Sequence, residues 1–432
     1  MVVLWSAIAK LLGPAGLGKI QLAYFLAVVV ALLISVGLPV SNAYLIGRGL
    51  FSTSAILWQN LLVSVFGSAL SVSVIVAAWS TLRRLVPLAP ELLLVTLIWI
   101  LLQTLVSNVS SVLLADRRFR DQSLANFFQG VVSITFVLVA LKFMGASVRG
   151  VAFALILANF VGLAYLLVLL RAELRQILLP SASLLKESSI QGLKGYFGTI
   201  LQLFTYRFDV FIVGRFSGAA ALGYYAIAFS ATECLWQIPQ AIATVLMPTT
   251  ASSGVEEANT RTPRICRVSL GFTVFGGLLF GVILTWLVPL VFGPAYKYSV
   301  LLIWVLLPGA VAFVLPKVVA ADLCGRGCAE YASYGSFGGL LATVVLDLLL
   351  IPRFGTLAAA AISSVVYTGQ AVYFLRCFCR VSGVPARQVI LPTGEDFRTL
   401  VSSSKLAGQK YLWGPGMRHL KLTPKASLLT RE

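Results

Sequence analysis

Arg207 and Asp209 lie near the middle of residues 196–215, a run that is otherwise built like a membrane-spanning helix. A charge at mid-membrane costs about 2.5–3.5 kcal/mol on insertion scales, so it faces a cavity or a partner. Gln202, Tyr206 and Asp209 recur at helical spacing and share one face, with Arg207 on the adjoining flank. Arg207 suits an anionic group, and Asp209 suits tuning of that cation or coupling to an ion. The structural alternative is an arginine paired to another helix. In the following run, Ser230, Glu233, Gln237, Gln240 and Thr244 step by three and four, which draws one continuous polar stripe on an apolar helix. Amides and hydroxyls both donate and accept, which is what a hydroxyl-rich ligand requires. The plainer account is hydrogen bonding between helices. Glu233 is a candidate proton or sodium site, and Pro239 is a candidate hinge. Asn126, Gln129 and Ser133 form a weaker face of the same kind.

Other residues read more blandly. Ser64, Ser68 and Ser71 suit helix packing, and Lys317, near a helix end, suits snorkelling to the headgroups. Asp347 lies near the outer end of its span. Tyr224 and Tyr225 suit an aromatic interface belt. Asp116, Arg120, Asp322 and Arg326 are candidate gate contacts, with turn capping as the alternative.

Composition explains why these polar residues stand out. Of 432 residues, 59% are hydrophobic and 11% charged, with a mean hydropathy of +0.94. Soluble domains are near 45–50% apolar and about 25% charged. Apolar runs of about 20 residues recur, each long enough to cross the hydrocarbon as a helix. They do not alternate as barrel strands would. The fold class is therefore an all-α polytopic membrane protein. Expected spans are 20–45, 55–79, 86–108, 125–142, 150–170, 196–215, 222–246, 268–292, 298–319, 331–351 and 357–378. With residues 1–12 as a truncated first segment, the expected total is about twelve.

The net charge of +18 sits in short loops and the C-terminal tail, so it reads as topology and lipid-headgroup contact, not nucleic-acid binding. The even loops carry Arg48, Arg117, Arg118, Arg120, Arg171, Arg175, Arg261, Arg264 and Arg267, among others. The odd loops, with Arg83 and Arg84, Arg149, Arg215 and Arg353, are less basic, which places both termini in the cytoplasm. Six cysteines and one histidine, His419, provide neither a disulfide framework nor a metal site. No G-x-x-x-x-G-K-[ST] nucleotide loop and no cleavable signal peptide are evident, and no cofactor is expected.

Two sequence matches suggest an internal repeat. "GPAGLGKIQLA" from Gly13 matches "GAAALGYYAIA" from Gly218, and "ADRRFR" from Ala115 matches "ADLCGR" from Ala321. Offsets of 205 and 206 imply two halves in parallel orientation, a transporter signature. The expected organisation is a six-helix lobe over 1–180, a cytoplasmic linker over 181–195, a second six-helix lobe over 196–378 and a basic tail over 379–432.

"LLGPAGLGKIQLAYFLAVVVALLISVGLP", "DVFIVGRFSGAAALGYYAIAFSATECLWQIPQAIATVLMP" and "LLLIPRFGTLAAAAISSVV" resemble the signatures of bacterial polysaccharide transporters, the oligosaccharide flippases of O-antigen and exopolysaccharide assembly. That family shares a superfamily with multidrug and toxin extruders and the lipid II flippase. The resemblance covers residues 5–378. It implies a fold of twelve to fourteen helices in two six-helix lobes around a central cavity, and movement of an undecaprenyl-diphosphate-linked oligosaccharide across the inner membrane by alternating access. Implied partners are that lipid-linked glycan, membrane lipids, polymerase and chain-length machinery, and a coupling proton or sodium ion. The family's arginine before L-G-P is Lys10 here, and only half of the first helix is present. The alternatives are a multidrug or cation extruder of the same fold, a non-transporting scaffold of polysaccharide assembly, and a membrane enzyme. The short odd loops and the lack of a nucleophile–base pair argue against the enzyme.

Overall fold

In hydrocarbon the backbone has only itself to hydrogen-bond, so long apolar runs become helices. The computed structural model describes residues 2–81, 88–145, 147–252 and 254–391, and no strand occurs among them. Arg83, Arg84 and the tail from residue 392, with His419, lie outside the described residues. The first half contains α1 (Val2–Ser35), α2 (Leu38–Gly47), α3 (Thr53–Ala77), α4 (Leu93–Ala115), α5 (Phe119–Met144), α6 (Val148–Leu169) and the short α7 (Arg171–Arg175). The second contains α8 (Ala182–Phe216), α9 (Gly218–Glu233), α10 (Gln237–Ser252), α11 (Val255–Phe292), α12 (Lys297–Ala312), α13 (Val314–Gly325), α14 (Ala329–Ser382) and α15 (Ala386–Ile390).

The chain is a multi-pass membrane protein. Among the described residues, eight helical stretches are long and apolar enough to cross a membrane, against the expected twelve or so. The shortfall has physical causes. α8 carries Arg207, Asp209 and a charged first half, so its mean hydropathy is low. α9 and α10 have 16 residues each and are separated by a 3₁₀ turn at Cys234–Trp236. The stretch Glu330–Ser382 counts once, although its 53 residues are kinked at Gly355 (φ 63°), just past Pro352. α1 is likewise broken at Gly13 (φ 68°). The helices that miss the apolar requirement are largely those that carry the polar residues of interest.

Two lobes follow the repeat. Gly13 and Gly218 both have left-handed backbone, with φ 68° and 84°, and both start a helix that leans on the other. A Cβ on Gly18 would come within 1.8 Å of the Ala219 carbonyl oxygen, and one on Gly223 within 2.1 Å of the Pro14 carbonyl oxygen. Gly18 and Gly223 are equivalent in the repeat, as are Pro14 and Ala219. The contact is therefore reciprocal, as a two-fold axis requires. The "GPAGLG" and "GAAALG" segments thus form the seam that closes the two lobes at one end.

The other sequence match is corrected by the backbone. Asp116 caps α4, whereas Asp322 lies inside α13, three residues before its end. The left-handed turns that do correspond are Arg117 (φ 59°) with Gly327 (φ 82°), and Gly145 (φ 66°) with Gly355 (φ 63°). Each pair is 210 residues apart, so the second half gains a few residues after the seam.

Of residues 181–195, expected as a linker, Ser181 caps α8 and the rest open that helix, whose first half packs on the first lobe. The Ser41 and Ser188 hydroxyls are 3.1 Å apart, and Tyr196 Oη donates to the Leu32 carbonyl. Further along, α8 lies against α14, where Thr205 Oγ1 is 3.4 Å from the Ser336 carbonyl oxygen.

Candidate functional site

A cavity of about 710 Å³ lies between the lobes. The first lobe contributes Gln21 and Tyr24 from α1, Gln103 from α4, Asn126 and Gln129 from α5, and Asn159 from α6. The second contributes Arg207, Ser230 and Glu233. Gln129 Nε2 donates to Asn159 Oδ1 at 2.9 Å, and Gln122 Nε2 to Asn126 Oδ1 at 3.3 Å, which orients three of these amides.

Arg207 faces this cavity, but it is not a bare cation. Its Nη2 donates to Glu233 Oε2 at 2.8 Å, and its guanidinium lies over the Phe229 ring, 4.2 Å from the centroid. Both side chains keep partial exposure, 24% and 34%, so the pair is open to a ligand from the cavity. Asp209, two residues on, points away from Arg207 into the second lobe. It accepts a hydrogen bond from Tyr225 Oη, which lies 3.3 Å from Ser363 Oγ. Asp347 is also buried and lies close enough to interact with Asp209 electrostatically. Asp209 Oδ1 and both Asp347 oxygens have no hydrogen-bond partner among the described residues.

The polar stripe is split, which corrects the expectation of one continuous face. A 3₁₀ turn holds 3.0 residues per turn against 3.6 in an α-helix, so three residues at Cys234–Trp236 rotate the following face by roughly 60°. Pro239, which is buried, lacks the amide proton that a continuous helix would use there. Ser230 and Glu233 thus face the central cavity. Gln237 lines a groove with Ile238 and Val245, while Gln240 and Thr244 face a second pocket within the second lobe.

That second pocket also holds Gln202 and Tyr206; Gln202 Nε2 donates to Tyr206 Oη at 2.8 Å. Lys317 is expected to snorkel to the headgroups. It is instead folded inward, with Nζ 2.9 Å from Gln240 Oε1, because the helix break at Phe313 turns α13 towards α10. Lys10 is exposed and does not line the central cavity.

Asp322 and Arg326 bind each other within the second lobe, at 2.6 Å. Asp322, wholly buried, also accepts from Thr262 Oγ1 at 2.7 Å and Thr250 Oγ1 at 3.2 Å, which ties α13 to α10 and α11. Asp116 and Arg120 are exposed; the residue that ties the corresponding region of the first lobe is Arg118, bonded to Asp121 and Glu173. Asp322→Ala would strand the Arg326 guanidinium in a site that leaves its side chain 10% exposed. The expected loss is about 3–5 kcal/mol, seen as a large drop in thermal midpoint in detergent.

Sequence reasoning missed Gln21, Tyr24, Gln103 and Asn159. Gln103, Ser107 and Ser110 stand at helical spacing on α4, so that signal was present.

Comparison with known proteins agrees with this architecture. The model of a family described as "Polysaccharide biosynthesis protein" matches residues 7–301. Among solved structures, an inward-facing multidrug resistance MATE family transporter of the MOP superfamily superposes with a TM-score of 0.70 at 16% identity, over 88% of this chain and 94% of that one. Lipid II flippase MurJ in an inward closed conformation gives 0.67 at 13% identity, over 92% and 90%. An outward-facing multidrug resistance MATE family transporter gives 0.53 at 17% identity, over 87% and 96%. No curated protein sequence matches.

Proposed function

Since the chain belongs to the polysaccharide biosynthesis protein family, we propose that it is a flippase. It would carry an oligosaccharide linked to undecaprenyl diphosphate from the cytoplasmic to the outer leaflet of the inner membrane, for O-antigen or exopolysaccharide synthesis. The observation that carries the reading is the central cavity, where amides of the first lobe face Arg207 of the second. A diphosphate and a glycan cannot enter hydrocarbon without several kcal/mol per unsatisfied group. The cavity offers both a cation and amides, and the lipid tail stays in the bilayer.

The positive-inside bias puts both termini in the cytoplasm, so the seam at Gly18 and Gly223 closes the outer end. The diphosphate would enter from inside and take Arg207 from Glu233. Glu233, released, becomes free to bind a proton. The buried Asp209 and Asp347 carboxylates are the seat for a coupling proton or sodium ion. Rocking of the lobes about the cavity then exposes the glycan outside. A polymerase and chain-length machinery would receive it there.

A second reading, export of an organic cation, is favoured by Glu233 lining the same cavity as the Tyr24 and Trp99 rings. Vesicles holding the protein separate the two. The expected result is leaflet transfer of a fluorescent lipid-diphosphate oligosaccharide above protein-free vesicles, without accumulation of ethidium. Ethidium transport with no lipid transfer would replace the flippase by the extruder. Neither activity, with the protein shown folded by its melting curve, would favour a scaffold.

A further inference from the structure

The second pocket, about 520 Å³, lies within the second lobe between α8, α10, α13 and α14. Among the described residues, its one cationic lining residue is Lys317, and no carboxylate lines it. Unlike Arg207, Lys317 has no acidic partner within salt-bridge distance among the described residues; its Nζ meets only the neutral Gln240 amide oxygen. Three rings surround the ammonium, with centroids 5.3 Å away for Phe313, 5.6 Å for Trp236 and 5.7 Å for Tyr206. Rings at that distance hold the cation without neutralising it. Gln370, buried to 8% exposure, uses its Nε2 on the Gly335 carbonyl at 3.1 Å. Its Oε1 has no donor among the described residues, so a buried acceptor on the pocket wall is open to a hydroxyl or amide. Thr199, Gln202 and Thr244 add hydroxyl and amide groups.

These features describe one ligand chemistry: a single negative charge on a body rich in hydroxyls, with an apolar face for the rings. We propose that this pocket is an acidic-sugar site, seating a carboxylate-bearing sugar residue with its carboxylate on Lys317 and a hydroxyl donating to Gln370 Oε1. Between the pocket and the central cavity run rings packed edge to face. Arg207 lies 4.2 Å over Phe229, Phe229 is 5.9 Å from Trp236, and Trp236 is 5.6 Å from Lys317. Arg207 and Lys317 thus lie at the two ends of this line of rings, Arg207 in a direct ion pair with Glu233 and Lys317 bonded to an uncharged amide. The assignment deepens the flippase reading by naming an acidic glycan as cargo, and it rests on that reading for its purpose. Binding itself is testable without transport.

The experiment is equilibrium dialysis of the purified full chain in detergent with radiolabelled glucuronate, against glucose and inorganic phosphate as competitors. Saturable glucuronate binding is expected, at least tenfold weaker in Lys317→Met and in Gln240→Glu. The second variant keeps the side-chain shape and places a carboxylate where the amide oxygen touches Nζ. Glucose is expected to compete at least tenfold less well. Variants that bind glucuronate as tightly as the parent would overturn the site. Phosphate competing better than glucuronate would reassign the pocket to a lipid phosphate headgroup. Binding that falls in Arg207→Ala but not in Lys317→Met would move the acid to the central cavity and also defeat the proposal. Glucuronate binding without any leaflet transfer would leave the site standing and sink the flippase instead.

Discussion

Gly223→Leu is expected to abolish leaflet transfer while leaving insertion and abundance near those of the parent. The added Cβ would fall 2.1 Å from the Pro14 carbonyl oxygen, a backbone atom that no rotamer change can move. The lobes can accommodate it only by parting at that seam. Overpacking typically costs about 1–3 kcal/mol, and a penalty of that size on one of two states shifts their ratio about 5–150-fold. The closed-seam state would become rare, and a carrier that cannot visit both states does not turn over. Gly18→Leu should behave alike, since its Cβ would meet the Ala219 carbonyl oxygen at 1.8 Å. Gly276→Ala, with nothing within 4 Å of its Cβ, should transport normally. Spin labels at the exposed Leu11 and Phe216, which flank the seam, would report the parting directly. Unchanged label distances in Gly223→Leu, together with normal transfer, would show that the seam is not a gate.

The seam was legible in part. The repeat of "GPAGLG" as "GAAALG" identified two equivalent segments, and glycine there is explained by left-handed backbone at Gly13 and Gly218 and by close approach at Gly18 and Gly223. That the two copies touch each other was not legible, because a repeat fixes equivalence and says nothing of contact. The "ADxxxR" match misled for a related reason: short polar motifs recur at helix ends by chance, and only backbone angles aligned Arg117 with Gly327. Arg207 was visible as a charge in an apolar run. Its partner Glu233, 26 residues on in the next helix, was not, because spacing along one helix is blind to contacts between helices. Lys317 was misread because its place near a helix end suggested headgroups, whereas the break at Phe313 folds it among rings. The polar stripe was found, but its division between two cavities depends on a three-residue 3₁₀ turn that the pattern does not encode.

The Arg207–Glu233 pair carries the other large expectation, because removing either partner should act in opposite senses on binding. Arg207→Ala removes the cavity's cation, so lipid-diphosphate binding should weaken at least tenfold and transfer should fall in proportion. Glu233→Gln keeps the shape but releases the guanidinium from its 2.8 Å contact. The diphosphate then no longer competes with a carboxylate, and binding should tighten about tenfold, or about 1.4 kcal/mol. Transfer should nonetheless slow, since nothing remains to take Arg207 back when the glycan leaves. Tight binding spent on a ground state does not speed turnover. The double variant should resemble Arg207→Ala alone, as expected when two residues act on one ligand through each other. Binding assays on the four proteins, with leaflet transfer beside them, close the cycle. If both single variants lose folded protein to the same degree, the pair is a strut between α8 and α9. If Glu233→Gln weakens diphosphate binding, the carboxylate orients Arg207 and does not compete for it.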